Sequence, residues 1–350
     1  GQNLGFAMKV GAAPVPAEVS RLEEYVYETL LGTKPDVARG FLRSLQDPDT
    51  FAVRMTMFYY GQEAFPYDYT EQPKCLMPVG GPIWCMTEDM ANRTYRAFNY
   101  PHQTAVHLAL YRVARFYPRI KTREGWRTHL FRAYSTAMIV GNCNVGLMDG
   151  TLFREVLVAL QEEGEADAEV DGWASGLEDK MRGRADGWAT EVFPYGSEFA
   201  FDTTGQEEVY VWLSHFNHTA AANRTLDAVL AYMRHLPTWA YNGGARSTGD
   251  LGNNGKVFVN RGAERGLMHY RSGLNAIPLV EHYRRYPDDH LLLEVGMGAV
   301  AGQLASVDAS GAPSMMFHSA PFVLDHDPNS GDFGLGFVGH VLLTGSYAVK

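Results

Sequence analysis

The sequence predicts an all-α fold, an (α/α) toroid of helical hairpins with long functional loops. Three observations predict it. Apolar residues recur at the 3.6-residue helical period in paired segments of roughly 35–40 residues per pair. Arg115-Phe116-Tyr117-Pro118 and Arg284-Arg285-Tyr286-Pro287 close the first helix of two different pairs with the same aromatic–proline stop. The links between pairs are long and chemically rich, whereas an open solenoid uses short ones.

Taken in order, Glu18 to Leu31 reads as a helix on Val19, Leu22, Val26 and Leu30, with Gly32 as its stop. Pro35 to Leu45 reads as a second, shorter helix. Residues 50–101 are crowded with Tyr, Gly and Pro and read as a long excursion. Four hairpins follow: His102–Phe116 with Glu124–Val140, Leu152–Glu163 with Glu169–Arg184, Glu207–Phe216 with Ala220–His235, and Gly273–Tyr286 with Leu291–Val307. A Gly-rich turn then leads into a final helix. The links Gly141–Thr151, Gly187–Gln206, Leu236–Ser272 and Asp308–His340 hold Gly, Asn, Asp, Glu, His, Tyr and Trp together. Gathered at one end of a barrel, they would build a site. The expected organisation is one α/α-toroid domain over 1–350, cut from the C-terminal part of a longer protein, since no initiator Met and no signal-peptide pattern opens the chain.

With 350 residues, 46% of them hydrophobic, the chain can bury a large core. Its net charge of −10 argues against a nucleic-acid binder, which needs a basic face to replace counterions, and does not suggest an anionic membrane surface. The longest apolar run, His290 to Val307, is interrupted by Glu294 and Gln303, so no membrane span is expected. Nineteen Tyr and six Trp in an acidic chain suit carbohydrate handling, since sugar faces stack on rings and sugar hydroxyls pair with carboxylates; a large core accounts for them equally. Cys75 and Cys85 flank a Pro/Gly-rich turn at a spacing compatible with a disulfide. N-x-S/T triplets begin at Asn92, Asn217 and Asn223 and favour a secreted or extracellular protein.

Several motifs fail on context. Gly334-Leu335-Gly336-Phe337-Val338-Gly339 matches a dinucleotide fingerprint literally, but no strand precedes it and no βαβ unit fits before Lys350. His215 and His218 lack the Glu of a zinc helix. Asp325, Asp327 and Asp332 resemble the start of a calcium loop, but Ser330 stands where that loop needs Gly and Gly336 where it needs Glu. A Ca²⁺ site of another kind stays open there; no other metal or cofactor is expected.

Glu191 to Tyr210 concentrates Glu191, Glu198, Asp202, Glu207 and Glu208 among aromatic residues. Glycoside hydrolysis needs two carboxyl groups in unequal environments, one a protonated acid and one an ionised base or nucleophile. Burial among aromatics raises a carboxyl pKa, which makes Glu198 the candidate acid and Asp202 or Glu207 its partner. Against this, Thr203 and Thr204 suit a helix cap, and Glu207 and Glu208 suit the dipole of the helix that follows. Trp239, Tyr241 and Tyr195 are candidate sugar-stacking residues. Arg246, Asp250, His269, Tyr270 and His102 are candidate hydrogen-bonding groups. Tyr270 with His269 also suits a polysaccharide lyase, in which Tyr serves as acid and base. A non-catalytic helical scaffold binding carbohydrate or protein is the third possibility.

Asn99-Tyr100-Pro101-His102-Gln103-Thr104-Ala105, Phe193-Pro194-Tyr195-Gly196-Ser197-Glu198-Phe199, Asp202-Thr203-Thr204-Gly205-Gln206-Glu207-Glu208, Tyr241-Asn242-Gly243-Gly244-Ala245-Arg246, and His269-Tyr270 with Ser272-Gly273-Leu274-Asn275 together resemble the DUF5695 family, across roughly residues 95 to 345. The resemblance implies an α/α toroid of the six-hairpin glycosidase type, in secreted proteins, often preceded by a β-sandwich domain that is absent from this sequence. It carries over no catalytic residues. The expected protein is a glycoside hydrolase acting on a poly- or oligosaccharide, with the lyase and the binding scaffold as alternatives.

Overall fold

Why these residues fold as helices is clearest at the caps. Asp167 precedes the helix Ala168–Thr190, and its carboxylate accepts the Glu169 and Val170 amides; the Thr87 hydroxyl does the same for the Met90 amide ahead of the short helix Glu88–Asn92. The repeated aromatic–proline stop operates twice. Tyr117 and Tyr286 end their helices with nearly the same backbone, φ −122°, ψ 70° and φ −133°, ψ 74°. The following prolines, Pro118 and Pro287, bar both residues from helical geometry.

The computed structural model describes residues 2–32, 44–57, 59, 87–141, 144–192, 203–235, 273–304, 339 and 342–346. These residues are mostly helical, with one isolated β-bridge, Gln46 to Val53, and no strand among them. The helices are α1 Gln2–Ala12, α2 Pro16–Glu24, α3 Glu88–Asn92, α4 Tyr100–Phe116, α5 Trp126–Met138, α6 Leu152–Gly164, α7 Ala168–Thr190, α8 Gln206–His215, α9 Thr219–His235, α10 Ala276–Arg285 and α11 His290–Leu304. The four expected hairpins are present as α4/α5, α6/α7, α8/α9 and α10/α11, each helix packed on its partner. The proposed helix at Pro35–Leu45 and the disulfide Cys75–Cys85 fall largely or wholly outside the described residues.

The chain divides into two compact units, Val10–Gly141 and Gly1–Lys9 with Asn142–Lys350. In the first, α2 starts with Pro16 at its first turn and widens after Glu24 into a π-helical turn, Tyr25–Leu30. The Tyr27 hydroxyl donates to Glu124, which Arg132 also binds, and the Arg123 and Arg132 guanidinium groups lie 5.1 and 5.5 Å from the Tyr27 ring centre. Helix α4 is buried without a break from Tyr100 to Tyr111. Behind it, Gln46 Nε2 donates to Thr136 Oγ1 (2.8 Å) and to the Phe51 carbonyl (2.9 Å), and its Oε1 accepts from His107 Nε2 (2.9 Å). An acceptor at that nitrogen fixes the His107 tautomer with its proton on Nε2.

In the second unit the two helices of a hairpin differ in burial. Helix α8 is buried from Gln206 to Leu213 and α10 from Ala276 to Glu281, while α7 and α9 bury one stripe and expose the rest. The first helices are also tied to one another. Arg154 of α6 pairs with Glu281 of α10, and Tyr210 of α8 hydrogen-bonds His282 Nδ1 of α10 at 3.1 Å. Asn217 turns α8 into α9 at φ 63°, a conformation Asn tolerates better than most residues. Asn217 and Asn223 are exposed, so both triplets there are open to modification.

Candidate functional site

Helix α8 begins with Gly205 at φ 82°, a left-handed geometry that glycine adopts without steric penalty. Its first turn carries Glu207 and Glu208, both with no exposed surface. A helix N-terminus favours carboxylates, but these two do more than complement the dipole. They reach back to the 144–151 link. Glu208 Oε2 accepts the Leu147 amide and Glu207 Oε1 accepts the Asp149 amide, both at 2.7 Å.

The link takes this path because two glycines allow it. A Cβ on Gly146 would stand 2.2 Å from the Gly205 carbonyl oxygen, and one on Gly150 would stand 2.5 Å from the Glu208 carboxyl carbon. Gly146→Ala therefore forces backbone apart from backbone. The expected cost is about 2 kcal/mol, within the range for overpacking, read as a lowered urea midpoint at unchanged m-value. An unaltered midpoint would mean that the link does not lie against α8.

Between the two glycines, Asp149 adopts φ 65°. A non-glycine residue in this region costs free energy and is held by its surroundings. Its carboxylate is fully buried beside Glu207. On the other side, Arg184 from α7 bonds Glu208 Oε2 at 2.8 Å and the Val145 carbonyl at 3.3 Å, with its guanidinium 4.7 Å from the Trp188 ring centre. Trp188 Nε1 donates to the Asn144 carbonyl at 2.6 Å.

Electrostatics divide the two glutamates. Burial pushes the Glu207 carboxyl well above the usual carboxylate range, and the Asp149 charge pushes it further. Glu208 is raised by burial too, but Arg184 opposes the shift. Glu208 thus acts as a clamp between α7, α8 and the link. The second oxygen of Glu207 has no hydrogen-bond partner among the described residues.

The turn Gly273–Asn275 also reaches this place. Asn275, fully buried just ahead of α10, donates from Nδ2 to Thr203 Oγ1 at 2.8 Å, while its Oδ1 has no partner. The 144–151 link, the Thr203–Glu208 segment and the Gly273–Asn275 turn ahead of α10 therefore meet around the start of α8.

Of the residues singled out in the sequence, Glu207 stands at this meeting point. His102 is buried in the first turn of α4, in the Val10–Gly141 unit. Glu198, Asp202, Tyr195, Trp239, Tyr241, Arg246, Asp250, His269 and Tyr270 lie outside the described residues, as do Asp325, Asp327 and Asp332 of the candidate Ca²⁺ site. Asp149, Arg184 and the two link glycines were missed. The signal available was Gly146-Leu147-Met148-Asp149-Gly150, a close-approach glycine pair bracketing a carboxylate. Among the described residues no group of three or more His, Cys, Asp or Glu could hold a metal ion. No described helix is long and apolar enough to cross a membrane.

The model of a family of unknown function, DUF5695, matches residues 1–350, the whole chain. The chain belongs to the DUF5695 family. No curated protein and no solved structure matched it. For this DUF5695 chain, then, the chemistry at the start of α8 is the guide to function.

Proposed function

We propose that this DUF5695 chain is a secreted glycoside hydrolase, cleaving a poly- or oligosaccharide by two-carboxylate acid–base chemistry on an α/α toroid of the six-hairpin type. The observation that carries the reading is the meeting of the 144–151 link and the first turn of α8 at the buried carboxyl groups of Asp149 and Glu207. Two carboxyl groups in unequal environments are what glycosidic cleavage requires. The unmatched oxygens of Glu207 and Asn275 are acceptors, and sugar hydroxyls are donors. The toroid is supported by the buried first helices α6, α8 and α10, which bond one another while their partners keep a solvent face. The sequence segments around Glu198, Asp202, Trp239, Tyr241, Arg246 and Tyr270 supply the remaining candidates for acid, base and sugar contacts.

The test is a broad polysaccharide panel, read for new reducing ends and for ultraviolet absorbance together, with Glu207→Gln and Glu198→Gln beside the wild type. The expected result is reducing ends without absorbance, with turnover at least about 10²-fold lower in Glu207→Gln, the scale of a lost general acid or base. Unchanged turnover in that variant would remove Glu207 from the reaction. An absorbing, unsaturated product would replace the hydrolase with a lyase and turn attention to Tyr270 and His269.

A further inference from the structure

We infer that the place at the start of α8 takes an uncharged sugar residue, one of whose hydroxyls donates to Asn275 Oδ1, and turns away uronates and sulfated sugars. This substrate class rests on the hydrolase reading above for its cleavage but not for its binding.

Asn275 reaches the place from the turn ahead of α10, a different element from the helix end it meets. It is fully buried. Its Nδ2 is engaged by Thr203 Oγ1 at 2.8 Å, and its Oδ1 meets no donor among the described residues. Glu207 stands four positions after Thr203 and is also fully buried. Its Oε1 accepts the Asp149 amide at 2.7 Å, and its Oε2 meets no donor among the described residues. Native interiors rarely leave a buried acceptor unmatched, because the lost hydration is not repaid. Both atoms are acceptors, so a group that suits them is a donor. Sugar hydroxyls donate without bringing a charge; a carboxylate or sulfate only accepts.

Charge points the same way. Among the described residues, the carboxyl groups of Asp149, Glu207 and Glu208 come together here, none with exposed surface. Two cations lie near them. Arg184 is bonded to Glu208 Oε2 at 2.8 Å and to the Val145 carbonyl at 3.3 Å, so its charge is already set against Glu208. Lys180 stands one turn before Arg184 on α7. An anionic sugar would meet carboxyl groups in an enclosed place, with no guanidinium left to face it. Away from water, an anion without a counter-charge is penalised far more than on an open surface. The same balance disfavours β-elimination, which needs a uronate whose carboxylate is neutralised as charge develops beside it.

Two sets of soluble oligosaccharides test this on the intact chain. One is uncharged, from glucans, mannans and galactans; the other is anionic, from pectate, alginate, hyaluronate and chondroitin sulfate. Titration calorimetry reads binding, and reducing ends with ultraviolet absorbance read cleavage. Salt at about 0.15 M screens the overall charge of −10 beyond about 8 Å, so that repulsion by the whole surface does not decide the result. The expected result is binding of a member of the uncharged set and of none of the anionic set. Asn275→Ala should raise that dissociation constant about 5-fold, the scale of one hydrogen bond, at unchanged stoichiometry. A variant that merely misfolds in part would lower the stoichiometry instead. If Asn275→Ala does not fold at all, the wild-type comparison still decides. Binding of an anionic sugar, or of neither set, would overturn the inference, and an unchanged dissociation constant in Asn275→Ala would overturn the contact. A uronate polymer cut to reducing ends without absorbance would overturn the substrate class and keep the hydrolase. Uncharged sugars bound but never cut would keep the class and sink the hydrolase.

Discussion

Lowering the pH from neutral toward 4 is expected to destabilise the Val10–Gly141 unit by about 3 kcal/mol through His129 alone, with His107 adding to it. Both imidazoles are buried. Burial drives the His107 pKa well below its usual 6.5, and burial with the nearby Arg132 charge brings His129 down to about 4. The folded state therefore holds both rings neutral, while the unfolded chain takes up protons near pH 6.5. Stability is complete above that pH and declines through the window down to about 4, at about 1.4 kcal/mol per pH unit for one group. Glu124 faces His129 and favours its charged form, a smaller effect than burial. Glu23 works in the opposite direction, since burial raises its pKa and mild acid relieves it. Amide hydrogen exchange across α4 and α5, corrected for the intrinsic pH dependence, reads the loss in the intact protein. The His129 ring makes no well-formed hydrogen bond among the described residues, although the Glu124 carbonyl lies near it. His129→Met should therefore leave neutral-pH protection nearly unchanged and flatten its decline in acid. Constant protection down to pH 4 in the wild type would refute the assignment.

The parts of this protein that were legible in its sequence are those that side-chain period and local stereochemistry decide. The hairpin α10/α11 could be read because Tyr286-Pro287 stops a helix by sterics alone, and the same dipeptide at Tyr117-Pro118 takes up the same backbone. Helix α1 was not anticipated. Gly5 and Gly11 argue against a helix, and burial of Leu4, Ala7, Met8 and Val10 overrides them. The π-helical turn at Tyr25–Leu30 was read only as helix, because Val26 and Leu30 keep an apolar spacing that both geometries satisfy.

The site divides on the same line. Glu207 drew notice because several carboxylates fall together in sequence. Asp149 did not, since an Asp-Gly pair is ordinary turn chemistry, and only the fold shows that it bends a link onto α8. Arg184, read as the last residue of a helix, becomes the partner of a carboxylate 24 positions away. Hydrogen bonds at such separation leave no periodic trace. The pairing of helices within a hairpin is a local property, whereas the arrangement of hairpins relative to one another is not, which is why the sequence specifies the hairpins and a toroid stays a proposal.

Arg184→Met is the second substitution expected to have a large effect, costing about 3–5 kcal/mol, the range for removing one partner of a buried ion pair. Arg184 is 10% exposed and Glu208 not at all. Without the guanidinium, Glu208 keeps the Leu147 amide but loses its counter-charge, next to Glu207 and near Asp149 through the same link. It must then either remain charged in the interior or take up a proton. The Val145 carbonyl loses a donor at the same time, and Trp188 loses the cation over its ring. Removing both partners in Arg184→Met with Glu208→Met should cost less than Arg184→Met alone, because no unpaired charge is left. Urea denaturation of the two single variants and the double variant, analysed as a double-mutant cycle, separates the terms. A loss under about 1 kcal/mol in Arg184→Met would place the pair with solvated surface bridges and undo the clamp. A double variant costing the sum of the singles would mean that Arg184 and Glu208 act independently, and that the link is held by its glycines and amides alone.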